Sequence, residues 1–178
     1  MESIEKKITS LGGLEITKSF RNHKEEKIDV EKYLLTNGIK LPNEFIDFSK
    51  KYGFSQFNND IVFSTISKIP SSYEDGTCPV NFFYGWGAGT ESLQEIRESL
   101  SDQIPNKYFV IAESNPGDQL LVNTLDSKVY YWAHEEPENK CIFLVANSFE
   151  DFINKLKLNE NSNTDEDDLE EESFSDDF

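Results

Sequence analysis

The residues that invite a chemical reading sit in four places. The first is Asn81-Phe82-Phe83-Tyr84-Gly85-Trp86-Gly87-Ala88-Gly89-Thr90. A strand running into glycines and then a helix can bring backbone N–H groups close to a pyrophosphate. The spacing here is G-x-G-x-G rather than G-x-G-x-x-G, Trp86 is bulky, and no Gly-Lys-Ser/Thr follows. These glycines read instead as a sharp passage from strand to helix. Tyr84 and Trp86 beside them are aromatic groups of the kind that anchor interfaces.

The second place is the thiols. Cys78 and Cys141 with His23 and His134 are the only Cys and His residues. Nothing local marks either thiol as activated, and free cysteine is commonly a small buried apolar group. Third, His134-Glu135-Glu136 resembles a fragment of a metal site, but further ligands at suitable spacing are absent, so no metal is expected. Fourth, Glu113 and Asp118 flank Asn115-Pro116-Gly117. Two carboxylates at such a distance can form a glycosidase-like pair, whereas an aspartate at a turn more readily bonds the turn backbone. No nucleophile with its base can be assembled, so neither catalysis nor a cofactor is expected.

The elements that must position these residues follow from periodicity. Leu14–Phe20 alternates as a strand would. Asp29 caps a helix that stops at Asn37-Gly38. Leu41–Gly53 is a second helix, with Pro42 in its first turn and Phe45, Phe48 and Tyr52 on one face. Asp60–Ile66 and Val80–Tyr84 read as strands, and Glu91–Leu100 as a third helix. Tyr108–Ala112, Gln119–Asn123 and Val129–Trp132 follow as strands joined by polar turns, which describes an antiparallel meander. Tyr131 and Trp132 alternate, so one is expected inside and the other available for contact. Ile142–Ala146 is another strand, and Ser148 with Asp151 caps a last helix, Phe149–Leu158. Hairpins of this kind beside helices indicate an α+β fold.

Charge and length bound the rest. The chain has 178 residues and 34 acids against 17 bases, a formal charge of −17. That suits one domain, large enough for a core without disulfide staples. No apolar run spans a membrane and no secretory leader is visible, so a reducing, cytoplasmic setting is expected. A body this acidic argues against direct binding of nucleic acid, which calls for a basic surface. Residues 159–178 hold ten acids and no Lys or Arg, and read as a disordered acidic tail. Without that tail, residues 52–158 still carry 15 acids against 7 bases.

The order of motifs adds a resemblance. Leu41-Pro42 before Phe45, Phe48, Tyr52 and Gly53 comes first, then Phe83-Tyr84-Gly85, and then Phe109-Val110-Ile111-Ala112-Glu113. Gly117-Asp118-Gln119, Val129-Tyr130-Tyr131-Trp132-Ala133-His134-Glu135 and Ser148–Phe152 complete the series. Together they resemble the SUKH superfamily and its Smi/Knr-like group over residues 26–158, with 1–25 as an N-terminal extension. One departure is that Gly53-Phe54 stands where the group more usually has two glycines.

The resemblance implies an α+β domain built on a strongly bent, mostly antiparallel sheet packed by helices. It also implies an immunity protein that neutralises a secreted polymorphic toxin, often a nuclease or deaminase, by direct binding. The alternative it carries is a regulatory scaffold of the cell-wall-signalling type. The partner-binding residues expected from the residues and motifs together are Tyr84, Trp86, Glu113, Asp118, Trp132, His134 and Glu135.

Overall fold

A computed structural model describes residues 1–16 and 28–160. Along these the elements are α1 (Glu2–Ser10), β1 (Leu14–Ile16), α2 (Val30–Thr36), α3 (Asn43–Tyr52), β2 (Ser55–Phe57) and β3 (Ile61–Ser64). Next come β4 (Thr77–Pro79), β5 (Phe82–Phe83), α4 (Leu93–Ser99), β6 (Tyr108–Glu113) and β7 (Gln119–Asn123). The order closes with β8 (Val129–Trp132), β9 (Ile142–Ala146), α5 (Phe149–Lys155) and β10 (Lys157–Leu158). The expected α+β class is the one observed.

Seven strands form one sheet in the order β1-β2-β5-β6-β7-β8-β9, and β10-β3-β4 form a second. Every strand pair is antiparallel. Register shifts between Val110 and Ala112 and between Val129 and Tyr130 insert bulges, which bend and twist the strands that carry them. Helices start where the sequence offers caps. The Asp29 carboxylate accepts from Lys32 N at 3.0 Å, and the Ser148 hydroxyl accepts from Asp151 N at 3.0 Å. The Asp151 carboxylate in turn accepts from Asn147 N at 3.0 Å, closing the cap from both sides.

The core lies between α3, α5 and the inner face of the large sheet. Phe45 and Phe48 meet Phe149 edge-on at 5.2 and 5.0 Å, and Phe48 meets Phe83 at 4.8 Å. The end of α3 is unusually close to the strand beside it. A Cβ on Gly53 would lie 2.6 Å from both Gly85 Cα and Ser49 O. Phe54 takes the left-handed backbone, at φ 61°, and its fully buried ring occupies the space that a Cβ on Gly85 would fill. Gly85 therefore serves close approach, and the expected turn from strand to helix occurs beyond it.

That turn is closed on itself. Leu93 N bonds Gly85 O at 2.8 Å, Ser92 N bonds Gly89 O at 3.0 Å, and Glu95 N bonds the Ser92 hydroxyl at 3.3 Å. These bonds fix the passage from β5 into α4.

Three expectations need correcting. The last helix ends at Lys155, and Leu156 turns into β10, whose Lys157 and Leu158 pair with Val62 and Ile61. Tyr131 and Trp132 are both buried, at 0% and 5% exposure, so both faces of the sheet are covered at β8, with Phe63 of the second sheet against Tyr131 at 6.3 Å between ring centres. The first residues also carry more structure than an extension implies. Ile4 and Ile8 of α1 are buried, α1 packs on α5, and β1 adds a strand beside β2. Of the strand expected over Leu14–Phe20, Leu14–Ile16 is observed and the remainder lies outside the described residues, as do His23 and residues 161–178.

Candidate functional site

The turn between β6 and β7 places Asp118 where three separate loops meet. Gly117 takes φ 88°, and Asp118 N bonds Asn115 O at 2.9 Å, so the turn is tight. Asp118 is 3% exposed and its carboxylate accepts four hydrogen bonds. One oxygen receives His134 N at 2.9 Å and bonds His134 Nδ1 at 2.8 Å. The other receives the Tyr131 hydroxyl at 2.6 Å and the Ser71 hydroxyl at 2.8 Å. Asn115 adds a side-chain bond to Ser71 O at 2.9 Å and another to the Tyr131 oxygen at 3.1 Å.

Because a carboxylate only accepts, the bond to Asp118 puts a proton on His134 Nδ1. In neutral His134 the outward Nε2 is then a bare acceptor, 3.9 Å from a Glu135 carboxylate oxygen. Gly117 makes room for this ring, since a Cβ there would lie 2.8–3.0 Å from its atoms. Beside His134 an open cleft of about 270 Å³ is lined by Ser71, Pro116, Asp118, Glu135 and Glu136 among others. A larger cleft of about 380 Å³ is lined by Asp60, Tyr73 and Asn81 among others, and none of the seven expected partner-binding residues lines it.

The remaining expected residues fall on two sides of the sheet. Glu113, Gln119 and Trp132 are register partners across β6, β7 and β8 and so share a face. The Tyr84 hydroxyl joins them by donating to the Gln119 carbonyl at 2.9 Å. Trp132 approaches His134, ring centre to ring centre, at 6.4 Å. Trp86 lies apart, among Tyr33, Phe109 and Ser49, to whose hydroxyl its indole N–H donates at 2.8 Å. Tyr84, Trp86 and Trp132 were expected as contact anchors. They are 6%, 7% and 5% exposed, and their polar atoms on Tyr84 and Trp86 are already bonded internally. All three rings belong to the core, so removing one tests folding before it tests contact.

The family described as SMI1 / KNR4 (SUKH-1) matches residues 23–155. The chain belongs to the SMI1 / KNR4 family. Over 130 residues it is 32% identical to the SPbeta prophage-derived uncharacterized protein YokK of Bacillus subtilis (strain 168). That similarity covers 67% of this chain and 68% of the relative. No solved structure matches significantly. All of the expected site residues lie inside the SMI1 / KNR4 span, whereas α1 and β1 precede it.

Within this SMI1 / KNR4 domain, sequence reasoning named Asp118 and His134 but missed Ser71, Asn115 and Tyr131 as the supports of Asp118. Ser71 carries no local signal, being 47 positions from the carboxylate it bonds. Among the described residues no group of three or more His, Cys, Asp or Glu is gathered to hold a metal, and no helix is long and apolar enough to cross a membrane.

Electrostatics around Asp118 and burial of the thiols give two tests. Burial alone would raise the Asp118 carboxyl, but the bonds from Tyr131, His134 and Ser71 outweigh it and hold the group below its ordinary value. Glu113 goes the other way, raised mainly by burial. A lowered acid stabilises the fold above its unfolded pKa of ~3.9, and that contribution is lost as pH falls through the folded value. A raised acid stabilises below its unfolded pKa of ~4.3 and loses that contribution as pH rises through the folded value. Acid titrations of denaturant midpoints are therefore expected to show the wild type losing stability below about pH 4 more steeply than Asp118→Asn. Equal slopes would show that the network does not favour the ionised carboxylate.

Cys78 is fully buried, and burial with the nearby Asp118 charge pushes its thiol up to about 12. Cys141 is 4% exposed, with its sulfur bonded to Glu138 O at 3.3 Å. A disulfide reagent at pH 8 is expected to titrate both thiols rapidly only after denaturation. Fast modification of Cys78 in the native protein would contradict its buried setting.

Proposed function

We propose that this protein neutralises a secreted toxin domain by direct binding, without a catalytic step, and that the surface around Asp118, His134 and Glu135 makes the contact. The observation that carries the reading is a family fold with one rigid polar site. Asp118 ties the loop from Ser71, the turn at Asn115–Gly117 and the segment after β8 into a single unit. Loops fixed in this way keep a binding surface organised before the partner arrives, which lowers the ordering cost of association.

Charge supports the same reading. Residues 52–158 carry 15 acids against 7 bases, and Glu135 and Glu136 border the cleft. A toxin acting on nucleic acid, such as a nuclease or deaminase, presents a basic groove to phosphates. An acidic inhibitor meets such a groove with favourable charge and a raised association rate. The setting that fits is cytoplasmic.

The chemistry present favours holding rather than turnover. The Ser71 hydroxyl is committed to Asp118, and His134 Nε2 faces Glu135 and the cleft instead of a nucleophile.

The test is protection. Co-expression with the toxin domain encoded beside its gene should rescue growth, and the two proteins should co-purify as a complex. Growth arrest with no complex would remove the immunity reading and leave the scaffold role of some relatives in its place.

A further inference from the structure

Resting on that reading, we propose that the cleft beside His134 receives the guanidinium of an arginine side chain from the bound protein. The argument starts from which donors are spent. The hydroxyls of Ser71 and Tyr131 both point at Asp118, at 2.8 and 2.6 Å. The Asn115 amide is used by Ser71 O and the Tyr131 oxygen. The backbone N–H of His134 donates to Asp118 at 2.9 Å, and its Nδ1 bonds the same oxygen at 2.8 Å. The side-chain donors of this floor are thus turned inward.

What the cleft offers outward are acceptors. In the neutral tautomer fixed by Asp118, His134 Nε2 accepts, and Glu135 and Glu136 accept only. Glu135 is exposed and free to swing, with its oxygen 3.9 Å from Nε2, so the two acceptors open onto the same volume. Pro116 and Ala133 give apolar flanks for a methylene stem. A donor-only, planar, cationic group answers all three features at once. Arginine carries five N–H donors in a fixed fork, whereas the lysine ammonium is a compact point charge without a plane to fit between separated acceptors. His134 is then more than an orienting group: it separates an arginine from any cation by adding a directional acceptor that simple charge attraction does not require.

The experiment is a set of double-mutant cycles on the complex with the toxin domain encoded beside its gene. Glu135→Gln with Glu136→Gln removes two charges from the cleft and leaves the Asp118 network intact. Glu95→Gln with Glu98→Gln removes two from exposed positions on α4 as a control. The cleft pair is expected to weaken binding at least tenfold more than the control at physiological salt, with the melting temperature unchanged. Each arginine and lysine of the toxin surface is then replaced by alanine, and one arginine is expected to show coupling of about tenfold or more with the cleft pair and with His134→Ala. Equal loss from cleft and control pairs would reduce the effect to general charge and overturn the inference, as would coupling to a lysine or to no basic residue. Binding that survives while the coupling is absent leaves the immunity reading standing. Absence of any complex with the wild-type protein removes both.

Discussion

Asp118→Ala is expected to lose at least about 3 kcal/mol of stability, a fall of roughly 6–12 °C in Tm for a domain of this size. Four donors converge on one buried carboxylate: the Tyr131 hydroxyl, the Ser71 hydroxyl, and the backbone and ring nitrogens of His134. Alanine removes their common acceptor, leaving the Tyr131 and Ser71 hydroxyls, 3.1 Å apart, to share a single bond in place of two to a charged group, with Tyr131 wholly buried. Hydrogen bonds to a charged group contribute about 1.5–3 kcal/mol each, and they are not additive within one network. Asp118→Asn keeps an acceptor for His134 and is expected to cost about half as much. Chemical denaturation of the three proteins decides it. A loss under about 1 kcal/mol for alanine would mean that the loops hold their positions without the network.

Gly53→Ala is the second large effect, and its sign depends on space rather than torsion. At φ −58° and ψ 151° alanine is an ordinary residue, and replacing glycine there would on entropy alone favour the fold by about 0.4–1 kcal/mol. Opposing this, the added Cβ would sit 2.6 Å from Gly85 Cα and 2.6 Å from Ser49 O. Both atoms are backbone, fixed by α3 and by the segment after β5, so neither can give way without moving an element. The expected cost is about 3 kcal/mol, at the upper end for overpacking. Gly38→Ala is the comparison. Gly38 has φ 63° and open space around it, so alanine there meets only backbone strain of about 1–2 kcal/mol. If Gly38→Ala proves the more damaging, the approach of Gly53 to Gly85 is softer than its distances imply.

What the sequence made legible was whatever is decided locally. β6, β7 and β8 fall where the turn residues put them, because Gly117 closes one hairpin and Asp126-Ser127-Lys128 the next. Caps at Asp29 and Ser148 were equally readable, being bonds across three positions. Burial was less so. Trp132 and Tyr84 look like surface aromatics until the strands on either side are known, and nothing within a few positions of Trp86 announces that its N–H meets Ser49, 37 residues earlier. The site shows the same division. Asp118, His134 and Glu135 stand out by residue type, but the bonds that hold Asp118 come in part from Ser71, 47 positions away, which no local pattern connects to it. The first helix escaped notice because its apolar residues are few and spaced among charges, with Ile4 and Ile8 alone turned inward.

That first helix also sets the timetable of folding. Ser3 bonds Glu150, and α1 packs on α5, so segments 147 positions apart must meet in the fold. β3, too, gains its outer neighbour only when Lys157 and Leu158 are available. Contacts that join the two ends of a chain slow folding, since a long loop must close before they give any return. A growing chain has β6, β7 and β8 in place as hairpins while the hydrophobic faces of α1 and α3 still wait for α5. The core between α1, α3 and α5 therefore closes only after these distant segments meet, later than the hairpins of β6, β7 and β8.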